Sequence, residues 1–367
     1  MKLSNIQILR ACAALMIVVD HCGIETERLS QSVGGSKLFD ETAWGFGVPL
    51  FFAISGFIMV VTSAKNFGSA SGAVDFMRRR VIRIVPLYWA VTTVALAAAL
   101  AAPALSKAPP GDHLYIAASY LFWPYDCVTG YARPLATPGW TLNLEMLFYV
   151  VFAVALLFRR RIGLAVLFGS LGVLVAARAA GLLPGVALNF WGDPIVLGFL
   201  LGAAVGIAFN SGVRLSGFSA AALAAIGFGV VFLIPLPAGA ESDLLPRLAS
   251  AVPAVLILIA FALGPQADDN RRIWIAALLI GDASYSLYLV HAFVLRALSM
   301  VWMKGPLGAL SLWTFIPIGM AIALLIAIAT YWCFEAPATR WLNRKTPRRA
   351  VRSEPAPGRD GAAALAK

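Results

Sequence analysis

Apolar residues in this chain do not alternate with polar ones; they run together in long blocks. A helix that crosses the hydrocarbon of a bilayer needs about 20 mostly apolar residues. The sequence offers ten such blocks, at 6–23, 44–63, 81–102, 139–158, 162–180, 188–209, 218–235, 248–264, 273–300 and 312–334. The ninth is long and is interrupted at Gly281 and Asp282, so part of it is expected outside the membrane core. The segment 112–123 carries Leu114, Ile116, Tyr120 and Leu121 on a stretch too short to cross, and it reads as a helix lying in the interface. The expected fold class is all-α, a polytopic membrane bundle of ten transmembrane helices. Residues 1–345 form one transmembrane domain in this reading. Residues 346–367, rich in Arg, Pro, Gly and Ala, read as a disordered basic tail in the cytoplasm.

Composition sharpens this. Hydrophobic residues make up 60% of the 367, and charged residues only 13%, against about 25% in soluble domains. Too few ionisable groups remain to cover a soluble globule, which excludes a cytosolic enzyme, a secreted disulfide scaffold and a disordered chain. Lys2 and Arg10 ahead of an apolar run resemble a signal peptide, but no convincing small-x-small cleavage site follows, so the run is read as the first span. The four cysteines have no metal-ligand spacing, and no repeat of fixed period is present.

The net charge of +11 is largely topological. With the N-terminus in the cytoplasm, the clusters at Arg78, Arg79, Arg80 and Arg83, at Arg159, Arg160 and Arg161, at Arg271 and Arg272, and along the tail all fall on the cytoplasmic side. Both termini are therefore expected there.

Ionisable groups inside spans are costly and are functional candidates by default. Arg10 and His21 are eleven residues apart in the first span. Eleven residues make three helical turns plus about 20°, so both lie on one face, about 16 Å apart along the axis. Arg80 and Arg83, at i and i+3, share a face at the start of the third span. They suit either a topology anchor or bidentate binding of phosphate oxygens. Glu145 enters the fourth span from outside at a depth similar to that of His21. Carboxylate and imidazole then form either an acid/base pair or a structural hydrogen bond. Ser284, Tyr288 and His291 lie on one face of the ninth span, where a packing role is favoured. No phosphate-binding glycine loop, zinc cluster, HExxH or GxSxG motif is present, which disfavours ATP hydrolysis, metal hydrolysis and a serine elbow.

Five ordered motifs between residues 6 and 291 resemble acyltransferase family 3, the integral-membrane O-acyltransferases of bacterial surface polysaccharides. A basic residue, ten intervening positions and a histidine fall on Arg10 and His21, and an RxxR pair falls on Arg80 and Arg83, followed by Pro86, Leu87 and Tyr88. Phe51, Phe52, Ile54, Ser55, Gly56 and Phe57 match a third motif. Trp140 to Tyr149 match a fourth, and Ser284 to His291 a fifth. The wording of the first span is most similar to that of the exopolysaccharide acetyltransferases. One departure is Asp20, where an aromatic residue often precedes the family histidine.

The resemblance implies acetyl transfer from cytoplasmic acetyl-CoA, without a metal, to a hydroxyl of a polysaccharide or its lipid-linked precursor outside the bacterial inner membrane. The acceptor, the bilayer and the polysaccharide biosynthesis machinery are the implied partners, and nucleic acid is not among them. It places CoA phosphates at Arg10, Arg80 and Arg83, and gives His21 the role of base or transient acyl carrier, held by Glu145 or Asp20. Ser55, Trp140, Asn143, Tyr288 and His291 are implied as substrate or structural support. A transporter of a small organic anion is the second reading; it calls for paired broken helices or inverted repeats, and the sequence has one interruption and no repeat.

Overall fold

The structure is a computed structural model that describes residues 3–36, 38, 43–101, 111–126, 132–233, 244–267, 272–304 and 312–345. Arg271 and the tail after 345 lie outside these residues. Among the described residues every regular element is helical. The helices are α1 (Ser4–Ser32), α2 (Gly47–Ser63), α3 (Ala70–Ala101), α4 (His113–Tyr120), α5 (Trp140–Leu156), α6 (Arg160–Ala179) and α7 (Gly185–Trp191). They continue with α8 (Leu197–Asn210), α9 (Gly217–Leu233), α10 (Leu244–Leu263), α11 (Arg272–Asp282), α12 (Ser284–Lys304), α13 (Phe315–Thr330) and α14 (Ala336–Lys345). Eight helical stretches among them are long and apolar enough to cross a membrane, and α2 and α9 are shorter apolar helices. Together they correspond one for one to the ten blocks read from the sequence. The chain is a multi-pass membrane protein.

The short helix α4 falls where an interfacial helix is expected, and the Asp112 carboxylate caps it by accepting from the Tyr115 N–H at 2.9 Å. The expected interruption is also present: α11 ends at Asp282 and α12 starts at Ser284. Gly281 has no room for a side chain there, because a Cβ would collide with the Gln7 carbonyl oxygen of α1.

Three boundaries move, each for a polar reason. Helix α1 runs to Ser32, well beyond the apolar block, because its last turns are tied by side chains. Thr26 donates to the Cys22 carbonyl at 2.8 Å, Gln31 donates to Glu27 at 2.8 Å, and Arg28 pairs with Glu25. Arg296, near the far end of its span, also reaches Glu25, at 3.6 Å. Helix α3 starts at Ala70, where Asp75 binds Arg78 at 2.8 Å and also pairs with Arg79. The tenth span does not stop at Phe334; it passes through a π-helical turn, Tyr331–Glu335, into α14.

Helix α1 is the hub, packing against α2, α10, α11, α12 and α13. The closest crossing is α2 on α8. Gly56 of α2 lies on the backbone of Phe199, and Gly202 of α8 lies on the backbone of Ala53, with no space for a Cβ at either. Small residues at such crossings let helix backbones approach and gain dispersion contacts in a medium that gives no hydrophobic drive. Stacked Phe148 and Phe199, 4.4 Å apart, then join α5 to α8.

Candidate active site

The site is built from α1, α2, α3, α5 and α12, with the π turn at its edge. At its N-terminal end, α1 contributes Arg10, buried with 9% of its surface exposed. Arg10 Nη1 donates to Gln7 Oε1 at 2.8 Å, and Gln7 Nε2 in turn donates to Asp282. A neutral amide thus links the arginine to a carboxylate at the helix break. Helix α3 brings Arg80 and Arg83. The Arg80 guanidinium lies 5.6 Å from the Phe76 ring centroid and 5.8 Å from that of Tyr149, and its Nε is buried without a hydrogen-bond partner among the described residues.

Arg10, Arg80 and Arg83 border two cavities at once. One is a vestibule of about 670 Å³ that also meets Gln7, Asp282, Tyr331 and Glu335. The other is an inner chamber of about 120 Å³ with Phe51, Ser55, Glu145, Tyr149 and Tyr288 on its walls. The three guanidinium groups therefore stand at the neck between a polar mouth and a largely apolar chamber.

Among the described residues Glu145 makes no hydrogen bond to His21. It accepts from Ser55 at 3.1 Å and from Tyr149, on the wall shared with Arg80. At the far end of the chamber, Tyr288 donates to the Pro138 carbonyl at 3.0 Å and exchanges a hydrogen bond with Thr141 at 2.7 Å. Phe51 packs edge-on against the Tyr288 ring at 6.1 Å.

Past Tyr288 comes His291, with ring centroids 6.1 Å apart, and then His21, 4.8 Å from His291 in an edge-to-face arrangement. His21 is half-buried and His291 is 1% exposed. Nδ1 of His21 meets the Ile17 carbonyl at 2.9 Å, and Nδ1 of His291 meets the Leu287 carbonyl at 3.0 Å. A carbonyl oxygen only accepts, so each neutral ring carries its proton on Nδ1 and keeps its lone pair on Nε2. The carbonyl four residues back thus holds the Nδ1 side of the His21 ring. Nε2 of His291 is buried and unpartnered among the described residues. Asp20 lies on the adjacent face of α1, its carboxylate 3.5 Å from where a Cβ on Gly45 would stand.

Of the remaining sequence candidates, Ser284 borders one of the two cavities, and Trp140, Asn143 and His113 border neither. Trp140 opens α5 under the Arg133 guanidinium, 5.8 Å from its ring. Asn143 is 2% exposed with Oδ1 unpartnered among the described residues. Ser284 borders the inner chamber. His113 is exposed at the start of α4, away from these contacts. Among the described residues no three His, Cys, Asp or Glu side chains gather to hold a metal.

Sequence reasoning missed Glu335. It lies in the π turn, 7% exposed, and accepts from the Ser286 hydroxyl at 2.5 Å while facing the vestibule. The signal was present: Glu335 directly abuts an apolar run, and stopping the span at Phe334 discarded it.

Helix α1 thus carries both His21 and Arg10, and Arg10 is one of the three arginines at the neck. The comparisons name the protein's class. The family model described as "Acyltransferase domain" (acyltransferase family 3) matches residues 3–332. The exopolysaccharide production protein ExoZ of Rhizobium meliloti (strain 1021) is 34% identical over 303 residues, covering 80% of this chain and 89% of ExoZ. The acyltransferase MdmB of Streptomyces mycarofaciens is 28% identical, covering 100% of this chain and 98% of MdmB. No solved structure matches. The chain belongs to acyltransferase family 3. It is a membrane O-acyltransferase that draws on an acyl donor.

Proposed function

We propose that this enzyme moves an acetyl group from cytoplasmic acetyl-CoA to a hydroxyl of an exopolysaccharide, or of its lipid-linked precursor, at the outer side of the bacterial inner membrane. The observation that carries the reading is the shared neck: Arg10, Arg80 and Arg83 border both vestibule and inner chamber, and the helix that carries Arg10 also carries His21. Both termini and the arginine end face the cytoplasm, in keeping with the basic loops. The CoA phosphates bind at the neck, where guanidinium groups match phosphate oxygens in shape and charge. The pantetheine arm enters the chamber and passes Tyr288 to bring the thioester to His21. The exopolysaccharide acceptor follows from the likeness to ExoZ, which is named for exopolysaccharide production.

In the chemical step, Nε2 of His21 takes the proton of the acceptor hydroxyl as its oxygen attacks the thioester carbonyl carbon. The tetrahedral intermediate collapses, the C–S bond breaks, and the CoA thiolate leaves and receives the proton from His21. The products are the O-acetyl ester and free CoA. The Ile17 carbonyl keeps the Nδ1–H donor aligned through both proton transfers. Glu145, with Ser55 and Tyr149, shapes the donor wall.

The test is a gene deletion followed by NMR of the exopolysaccharide, together with labelled acetyl-CoA supplied to the full chain in nanodiscs. Loss of O-acetyl signals on deletion and label transfer to the glycan are the expected results. An unchanged O-acetyl spectrum, with no label transferred, overturns the reading.

A further inference from the structure

The donor and the spent carrier share the same phosphates. Arginines that grip acetyl-CoA through those phosphates therefore grip CoA equally well, which is uniform binding and favours neither the chemical step nor release. Five arginines border the vestibule, Arg78 and Arg79 being paired with Asp75 and the three of the neck having no direct ion pair among the described residues. Its anion would carry a 3′-phosphate of about −1.5 to −2 charge in addition to a pyrophosphate. Left uncorrected, that attraction makes product release the slow step.

Two carboxylates border the same space. Glu335 is buried and fixed by Ser286. Asp282 is exposed at the rim and is tied to Arg10 through Gln7. Neither forms a direct ion pair with Arg10, Arg80 or Arg83 among the described residues. They stand on the same cavity wall as Arg10 and Arg83 and partly offset its positive charge without a direct contact.

Building on the acyl-CoA reading, we infer that Glu335 and Asp282 are counter-charges that hold carrier affinity down, so that CoA leaves after each turnover. They are specificity-setting residues of the donor site and do not touch the reacting atoms. Glu335 carries the larger share, because its charge is buried and less screened than that of Asp282.

The experiment measures CoA binding by calorimetry, and turnover with acetyl-CoA, on the full chain in nanodiscs. Glu335→Gln lowers the Kd for CoA about tenfold, equivalent to about 1.4 kcal/mol. It also lowers kcat without lowering kcat/KM, because release becomes limiting. Asp282→Asn, at an exposed position that tolerates change, moves both in the same direction by about twofold to threefold. It decides the matter even if Glu335→Gln does not fold. Ser286→Ala keeps the carboxylate charge and leaves the Kd within about twofold. CoA binding by the natural chain with unchanged or weaker binding by the charge-removing variants overturns this inference alone. Absence of CoA binding by the natural chain overturns the donor reading, and this inference with it.

Discussion

His21 and His291 meet edge to face at 4.8 Å, each with Nδ1 anchored to the carbonyl of the residue four positions earlier. One ring is half-buried and the other is sealed in the bundle. The half-buried ring keeps part of its surface open, and the sealed one packs edge to face against it.

Replacing His21 with Gln removes the base but keeps a polar side chain of similar size. Acetyl transfer is expected to fall by about 10²–10⁴-fold, with insertion and CoA binding retained. Label transfer from acetyl-CoA and calorimetry on the same preparation check both halves. Mass spectrometry of the natural enzyme incubated with acetyl-CoA alone is expected to show no acetyl adduct, as the proposed direct attack by the hydroxyl requires.

His291→Ala opens a hole beside His21 and removes the Leu287 anchor. The expected loss is in kcat, by about tenfold to a hundredfold, with the KM for acetyl-CoA unchanged. A matching rise in KM would place His291 on the donor path instead.

Glu145→Gln separates the two positions this carboxylate can hold. Its bonds to Ser55 and Tyr149 place it on the donor wall, so the KM for acetyl-CoA rises about tenfold while kcat changes by less than about threefold. A collapse of kcat at constant KM would restore it as the support of His21.

Arg83→Ala raises the KM for acetyl-CoA by about tenfold or more, because a charge-assisted phosphate contact is worth about 1.5–3 kcal/mol. Arg83→Lys recovers only part of this, since a lysine cannot make the bidentate contact. Acetyl-dephospho-CoA, which lacks the 3′-phosphate, tests which phosphate Arg83 reads: for that donor, natural enzyme and variant converge if it is the 3′ group.

Gly202→Leu drives a side chain into the backbone of Ala53. Overpacking of this kind costs about 1–3 kcal/mol and often more. Here backbone faces backbone and cannot yield as a side chain does. The variant is expected to melt several degrees lower in detergent, as read by a thermal shift assay, whereas Gly169→Ala, with open space around it, leaves the melting temperature unchanged.

Much of the fold was legible because a bilayer imposes a simple rule on length and polarity. The ten apolar blocks, the break near Gly281 and the capped helix after Asp112 each follow from local sequence. The shared face of Arg10 and His21 also follows, being internal to one helix. Which helices pack together is not local. The approach of His291 to His21, and the placement of Glu145 against Ser55 and Tyr149, depend on how α12 and α5 dock on their neighbours. Periodicity carries no record of that. Glu335 escaped for another reason: the π turn carries a helical path past the end of the apolar run, so the carboxylate is folded back into the bundle.

A single helix joins the arginine neck to His21, and α1 is continuous from Ser4 to Ser32. It therefore works as a ruler. The distance between Arg10 and His21 is set by backbone hydrogen bonds, at about 1.5 Å per residue. Inserting one residue between Arg10 and His21 lengthens the gauge by that amount and swings the histidine about 100° off the shared face. Carriers whose arm is shorter than the gauge fall short of His21, however well their phosphates bind.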